Sequence, residues 1–239
     1  MKKKSSKKNL VLIALLCVVS VIFLLYNQVD KEITESDKIF IGHIMSENQL
    51  SPISSGATYE DEIDFIKGVQ KAVLRTAPED EGLPEGTPRE PETLYKAHKG
   101  LCYDRSRVIE KILRLNGFET RHIAVYSLRE HPNALKAILS KGTKSHALSE
   151  VKTKRGWIFV DSNAKFIGLD QQNNPLDMET LRDSDFYKIS WNDYNDKSYQ
   201  VIYRDPFTFV YGLYSRHGYF YPPYNKIPDI NWREFAANI

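Results

Sequence analysis

The chain has 239 residues, 41% of them hydrophobic and 27% charged, which is typical of a folded protein with one sizeable core and excludes wholesale disorder. Its 33 basic and 31 acidic residues nearly balance, and five of the lysines fall within the first eight residues. The rest of the chain therefore has no basic surplus. We expect no nucleic-acid partner, because such partners are held largely through phosphate contacts with basic side chains.

The first element in chain order is an uncharged apolar run at residues 10–26, which follows a basic tail at residues 1–9. Its length is at the short end of the roughly 17–25 residues that a membrane-spanning helix needs. No small-residue cleavage pattern follows Tyr26, so the pattern favours an uncleaved transmembrane anchor over a cleaved signal peptide or a buried helix. The positive-inside rule then predicts a single-pass membrane protein with a cytoplasmic N-terminus and an extracytoplasmic domain.

Residues 27–58 contain a cluster of Ser, Pro and Gly and are interpreted as a tether, with a short strand at Ile39–Ile44. Apolar residues at helical spacing predict a helix over Tyr59–Thr76, and Pro and Gly predict a surface loop over 77–92. A second helix is expected from Thr93, with a pause near Gly100.

The remaining elements complete an α+β fold in which helices pack on a small antiparallel sheet. They are the resumed helix Cys102–Asn116, a strand at Arg121–Leu128, a short helix at Pro132–Ser140, strands at Ser145–Thr153 and Trp157–Asn163, and a helical turn at Met178–Asp183. Residues 171–239 form an aromatic-rich C-terminal extension. Packing on the core is favoured for its aromatic side chains over the lining of a binding groove.

Cys102 is the only cysteine outside the apolar run, and it lies at a predicted helix start. The positive end of the helix dipole favours thiolate over thiol, which suits a nucleophile. Cys17 lies in the apolar run, so Cys102 has no disulfide partner within the chain. The competing interpretation of a free cysteine is a small buried hydrophobic residue.

A cysteine nucleophile needs a base, and the base needs an acceptor that orients it. His146 and Asp161 lie on two successive predicted strands. If the hairpin turn leaves an even number of unpaired residues, as when Val151 opposes Gly156, then His146 and Asp161 become direct cross-strand neighbours on one face. An odd turn or a bulge would separate them.

The segments GLCYDRSRVIEKILRLNGFETRHIAVYSL and SHALSEVKTKRGWIFVDSN resemble the transglutaminase-like superfamily, which has a papain-like Cys-His-Asp core. The ordered set comprises a helix-borne Cys after Gly, a Gly-x-x-x-Arg step at Gly117 and Arg121, and His and Asp on successive strands. The resemblance covers about residues 59–170. It implies the transglutaminase-like, papain-like cysteine-protease fold.

Matched residue by residue, the resemblance implies that Cys102 is the nucleophile, His146 the general base and Asp161 the residue that orients it. Trp157 matches the tryptophan before the Asp strand and is a candidate for substrate contact. The Cys102 backbone N–H is one candidate oxyanion donor. Tyr95 and His98 are candidates for a second donor.

The family's activities include protein cross-linking, amide hydrolysis and deglycosylation, and some members are inactive. The resemblance therefore implies a membrane-anchored thiol acyltransferase or amide/peptide hydrolase acting on a protein, peptide or cell-envelope polymer through a thioester. The alternatives are a non-catalytic peptide- or polymer-binding module of the same fold and a structural accessory protein, each in an envelope complex. No cofactor is expected. A zinc site built from His98 and Cys102 with His122 or His146 is a further, less favoured alternative.

Overall fold

The computed structural model, which describes residues 3–84, 86–184, 186, 189, 201–215 and 229–238, has an α+β architecture. The α-helices are α1 (Lys3–Asn27), α2 (Glu35–Glu47), α3 (Tyr59–Thr76), α4 (Pro91–Ala97), α5 (Cys102–Leu115), α6 (Ala134–Leu139), α7 (Met178–Asp183) and α8 (Trp232–Phe235). The strands are β1 (Glu119–Ser127), β2 (Ser145–Thr153), β3 (Gly156–Val160), β4 (Phe207–Tyr211), β5 (Leu213–Tyr214) and β6 (Asp229–Ile230). The fold class expected from the sequence is confirmed.

Four of these strands form an antiparallel sheet in the order β3-β2-β1-β4, and β5 pairs with β6 separately. One face of the sheet packs against α2, α3 and α5 through a core that includes Ile66, Val69 and Ile109. The other face packs against α7 and the chain around Tyr203. The sheet is therefore buried on both faces, which explains why β1 is buried at nearly every position, polar residues included.

Helix α3 begins as the sequence predicts, and its start is fixed by a capping box. Thr58 accepts from the backbone N–H of Asp61, and the Asp61 side chain accepts from the N–H of Thr58. The helix places its apolar face, including Ile63 and Val73, in the core. The predicted second helix is two helices, α4 and α5, separated at residues 98–101.

The strand predicted at Ile39–Ile44 is wrong, because this segment lies within helix α2. A capping box between Thr34 and Asp37 starts the helix, and Ile41 and Ile44 are fully buried against the main core. Ile39 on the opposite side is exposed. The spacing of three between the two buried isoleucines is helical, not alternating.

The turn between β2 and β3 contains Lys154 and Arg155, so that Thr153 pairs with Gly156. Gly156 has φ 148°, a conformation that is strained for residues with a side chain. The even turn that the sequence argument requires is present. The register, however, is displaced by two residues from the predicted one, since Val151 opposes Ile158 and Glu150 opposes Phe159.

The C-terminal part of the chain packs on the core where it is described. Tyr211 is buried on the α7 side of the sheet, and Tyr214 is buried and stacks on His122 at 4.2 Å between ring centroids. The predictions for Tyr219, Phe220, Tyr221 and Tyr224 lie outside the described residues. The division of the chain into tail, anchor, tether, core and extension stays a prediction.

Helix α1 contains a 20-residue span at Lys8–Asn27 that is long and apolar enough to cross a membrane, and none of its most apolar window is buried. A signal sequence near an N-terminus meets the same criteria of length and composition. The end of the helix contacts the C-terminal segment: the Trp232 indole donates to the Leu24 carbonyl (2.9 Å), and the Val29 N–H donates to the Ile230 carbonyl (3.0 Å).

Candidate active site

Cys102 is the first residue of α5, and its thiol is free and half-buried. The start of the helix is held by Asp104, whose carboxylate accepts from the Leu101 N–H at 2.9 Å. The cysteine thus lies among the unpaired N–H groups of a helix N-terminus, as the sequence predicts.

His146, the second residue of β2, lies beside Asp161, which follows the last residue of β3. The distance from His146 Nε2 to Asp161 Oδ2 is 3.0 Å, and both side chains are buried. The prediction that the two are directly opposed is wrong, because the observed register would place Leu148 opposite Asp161. They still meet because a shift of two residues leaves both side chains on the same face, as diagonal neighbours.

The Asp161 carboxylate is held on both oxygens. Oδ1 accepts from the backbone N–H groups of Asn163 and Ala164, each at 2.7 Å, and Oδ2 accepts from the Tyr203 hydroxyl at 2.5 Å as well as from His146. Gln70 of α3 fixes the backbone there, since its amide donates to the Asp161 carbonyl at 2.8 Å. The carboxylate therefore has little freedom to rotate.

Charge in this cluster favours a protonated His146. Burial opposes the charged ring, but the Asp161 carboxylate and the hydrogen bonds to Asp161 and Cys102 outweigh it and raise the pKa of His146 to about 10. Burial likewise opposes ionisation of Asp161, yet the charge of His146 and the hydrogen bonds from His146 and Tyr203 lower the pKa of Asp161. Burial and the neighbouring Asp161 charge raise the pKa of Tyr203, so its hydroxyl stays a donor.

Three side chains follow one another from solvent inward. His146 bonds Asp161 through Nε2, which leaves Nδ1 as the ring nitrogen available to Cys102, and Cys102 is near enough to help raise the pKa of His146. Cys102 is the most accessible of the three. Such a row can pass a proton between sulfur and imidazole while the carboxylate stabilises the imidazolium.

The charged residues that follow Cys102 bond away from it. Asp104 pairs with Arg89 at 3.2 Å, and Arg107 pairs with Glu90 at 2.5 Å. Arg105 donates to the Asn163 side chain at 2.8 Å. It thereby ties α5 to the loop that carries Asp161.

Tyr95 and His98 have partners on α2 and α3. The Tyr95 hydroxyl bonds Glu47, and its ring stacks on His43 at 5.5 Å between centroids. His98 has φ 52° at the end of α4, and its Nδ1 lies 3.2 Å from the Thr76 carbonyl. No contact in the described part of the chain joins either residue to Cys102 or His146.

Trp157 lies far along the sheet from the cysteine. It pairs with Lys152, six residues beyond His146 on β2, which corresponds to roughly 20 Å. Its ring instead covers the Arg121 guanidinium at 4.4 Å. The structure thus does not bring Trp157 to the candidate site.

Two residues of the site were missed by the sequence analysis. Tyr203 is one of 14 tyrosines and lies in a short 3-10 turn with no motif around it, so nothing in its local sequence marks it. Gln70 lies on the buried face of α3 among apolar residues. A polar residue on an apolar helix face is the one signal that would have found it.

Metal ligands were also considered for this region. Across the described ranges, no group of three or more His, Cys, Asp or Glu side chains is placed to hold a metal ion. His122, one of the candidates for a zinc site, instead pairs with Glu110 at 2.7 Å.

Comparison with known proteins identifies the core. Residues 53–162 match the sequence model of the transglutaminase-like superfamily. This span contains Cys102, His146 and Asp161. No curated protein matches the sequence significantly.

Two solved structures have partial likeness to this fold. One is an arylamine N-acetyltransferase from Salmonella typhimurium, 19% identical, with a TM-score of 0.35 over 52% of this chain and 44% of that one. The other is a Rad4–Rad23 complex bound to a 6-4 photoproduct UV lesion, 11% identical, with a TM-score of 0.34 over 62% of this chain and 39% of that one. The chain spans less than half the length of either, and we draw no function from them.

Proposed function

Because residues 53–162 form a transglutaminase-like core, we propose that this chain is a thiol acyltransferase or amide/peptide hydrolase anchored at a membrane. The observation that carries the proposal is the hydrogen bond between His146 and Asp161, with Cys102 beside them at the start of α5. In it Cys102 is the nucleophile, His146 the general base and acid, and Asp161 the residue that orients the imidazole.

The proposed reaction begins when the Cys102 thiol gives its proton to His146. The thiolate attacks a carboxamide or peptide carbonyl, and the developing oxyanion accepts from the Cys102 backbone N–H at the helix start. His146 gives its proton to the leaving amine, which leaves a thioester on the sulfur. A second amine or a water, deprotonated by His146, then releases the acyl group and restores the thiol.

The burial of the site supports this division of roles. His146 is 5% exposed and Asp161 is 0% exposed, so neither is open to bulk water, while the sulfur can be reached. In such surroundings the imidazolium–carboxylate pair is screened less than it would be on the surface.

The anchor is proposed on α1. Its apolar span is exposed along its length, and the basic residues that precede it favour a cytoplasmic N-terminus. The domain and its acyl substrates, whether proteins, peptides or cell-envelope polymers, are then on the extracytoplasmic side.

The experiment uses a Cys17→Ser chain, which leaves Cys102 as the single thiol. The protein in uncharged detergent is incubated with p-nitrophenyl acetate, and its intact mass is measured. We expect an acetyl adduct on Cys102 that hydroxylamine removes, and we expect no adduct in the His146→Ala variant. His43→Ala, which removes an exposed imidazole on α2, is the matched control and should acylate as the parent does.

A parent chain that does not acylate, or a His146→Ala variant that acylates at the parent's rate, would contradict the enzyme proposal. The result would then favour the alternative of a non-catalytic peptide- or polymer-binding module of this fold.

A further inference from the structure

A cationic pocket of about 400 Å³ lies at the far end of the sheet from Cys102, where the start of β1 and Trp157 face the C-terminal segment. Its walls also include Lys31, from the segment after α1, and Arg114, from the end of α5. The volume is within the range of small-molecule sites, roughly 300–1,000 Å³, and exceeds what one inorganic ion needs.

The charges of the pocket are unbalanced. The pocket is lined by four cationic side chains, which are Lys31, Arg114, Arg121 and Arg233, and by two carboxylates, which are Glu119 and Glu234. Lys31 pairs with Glu234, Arg121 with the buried Glu150, and Glu119 with Lys152 outside the pocket. Within the described residues, Arg114 and Arg233 are left without a carboxylate partner.

The Arg121 side chain is fixed in position by its neighbours. Its guanidinium lies between the rings of Trp157 at 4.4 Å and Tyr211 at 4.1 Å, and its Nε donates to Glu150 at 2.5 Å. That bond leaves the terminal nitrogens free of Glu150. A guanidinium fixed between rings loses little entropy on forming a two-pronged hydrogen bond with an oxyanion.

The pocket also lies beside the membrane-proximal segment. Lys31 is four residues after the last residue of α1, a distance of at most about 14 Å in an extended chain. The polar headgroup layer of one bilayer leaflet is roughly 5–8 Å thick. A headgroup in the leaflet where α1 ends is therefore close to this pocket when α1 spans the membrane.

We propose that this pocket binds a phosphate group, supplied by an anionic phospholipid headgroup of the adjacent leaflet. Arg114, which also bonds the Lys31 carbonyl, and Arg233 neutralise the phosphate, and Arg121 binds two of its oxygens. The proposal does not depend on the chemistry at Cys102, and a Cys102→Ala chain should bind as the parent does.

The test measures binding by calorimetry to the full chain in uncharged detergent. The probes are inorganic phosphate, glycerol phosphate and short-chain phosphatidylglycerol. Arg233→Gln should weaken binding of the tightest probe about tenfold, the size expected for one charged hydrogen bond. Arg75→Gln removes an exposed arginine of α3 and is the control that should change nothing.

Tighter binding of phosphatidylglycerol than of glycerol phosphate would assign the phosphate to lipid, and equal binding would assign it to a soluble phosphate ester and overturn the lipid source. The pocket proposal fails if no probe binds, or if Arg233→Gln and Arg75→Gln bind equally well.

Discussion

Tyr203 donates its hydroxyl to Asp161 Oδ2 at 2.5 Å, the same oxygen that faces the imidazole of His146. The tyrosine comes from a segment 42 residues beyond the aspartate and is buried beside the candidate site. Its ring also stands edge-on to the His146 imidazole at 6.2 Å between centroids, and its proposed role is to position the carboxylate and to keep it ionised.

Tyr203→Phe tests this positioning role. Loss of a hydrogen bond to a buried carboxylate should destabilise the fold by about 1.5–3 kcal/mol. Because that bond lowers the pKa of Asp161, its loss should raise this pKa. The acid limb of the pH–rate profile, where Cys102 alkylation slows as the pH falls, should then move to higher pH. Stopped-flow alkylation with iodoacetamide between pH 3 and 8 measures the limb.

Tyr59→Phe is the matched control, since this buried tyrosine donates to the Asn173 carbonyl at 2.7 Å. It should lower stability without moving the acid limb. An unshifted limb in Tyr203→Phe would show that the tyrosine only packs.

The raised pKa of His146 predicts a pH dependence of stability. Its pKa is about 10 in the folded chain and ordinarily about 6.5, so the folded state binds the proton more tightly. The stabilisation is complete below pH 6.5 and is lost as the pH rises through 10. Urea midpoints should therefore fall more steeply between pH 7 and 10 in the parent than in His146→Gln. Parallel curves would contradict the assigned charge on the ring.

Glu150 predicts a second, separate pH dependence. Burial raises its pKa to about 7 despite the nearby Arg121, whereas its ordinary value is 4.5. The sign is the same as for His146: the contribution is full below pH 4.5 and is lost as the pH rises through 7. Relative to Glu150→Gln, the parent should lose about 3 kcal/mol of unfolding free energy across that interval.

Glu119→Gln controls for surface charge, because Glu119 is exposed and pairs with Lys152. Its unfolding free energy should follow that of the parent from pH 4.5 to 7. A flat difference between the parent and Glu150→Gln would mean that Glu150 has the same pKa in the folded and the unfolded chain.

Helix α2 gives a prediction about the extent of the folded unit. Ile44→Ala removes a fully buried side chain and should cost about 2–5 kcal/mol. Ile39→Ala on the exposed side of the same helix should change stability by less than about 0.5 kcal/mol. Chemical denaturation of both variants checks this. Equal small effects would mean that residues 35–47 do not belong to the core.

The sequence predicted the parts of the fold that depend on local patterns. The 3.6-residue periodicity and acidic start of α3 and the alternation on β2 led to correct elements, and side-chain parity placed His146 and Asp161 on one face. The face on which a strand side chain lies does not change when the strand pairing shifts by two residues. The sequence therefore placed His146 and Asp161 on the same face correctly, although the predicted pairing between them was wrong. The match to a superfamily then depended on the order of residues along the chain.

The remaining features depend on contacts between distant segments. Tyr203 reaches Asp161 from outside the resembling region, and Trp157 lies near the wrong end of a strand for a role at Cys102. Helix α2 was missed because its burial depends on a partner surface formed by α3 and α5, and its few apolar residues also suited a short strand. Such choices are made by tertiary packing, which overrides weak local preference.

The hydrogen bond between Val29 and Ile230 affects how far the domain can move from the end of α1. A flexible linker over residues 27–58 would have a root-mean-square end-to-end distance of about 30 Å, so the cysteine could move over that range relative to the end of α1. The chain is instead fastened to its own C-terminal segment within two residues of the end of α1. If α1 spans a membrane as proposed, this attachment would keep Cys102 within a narrower range of distances from the bilayer than a flexible linker allows.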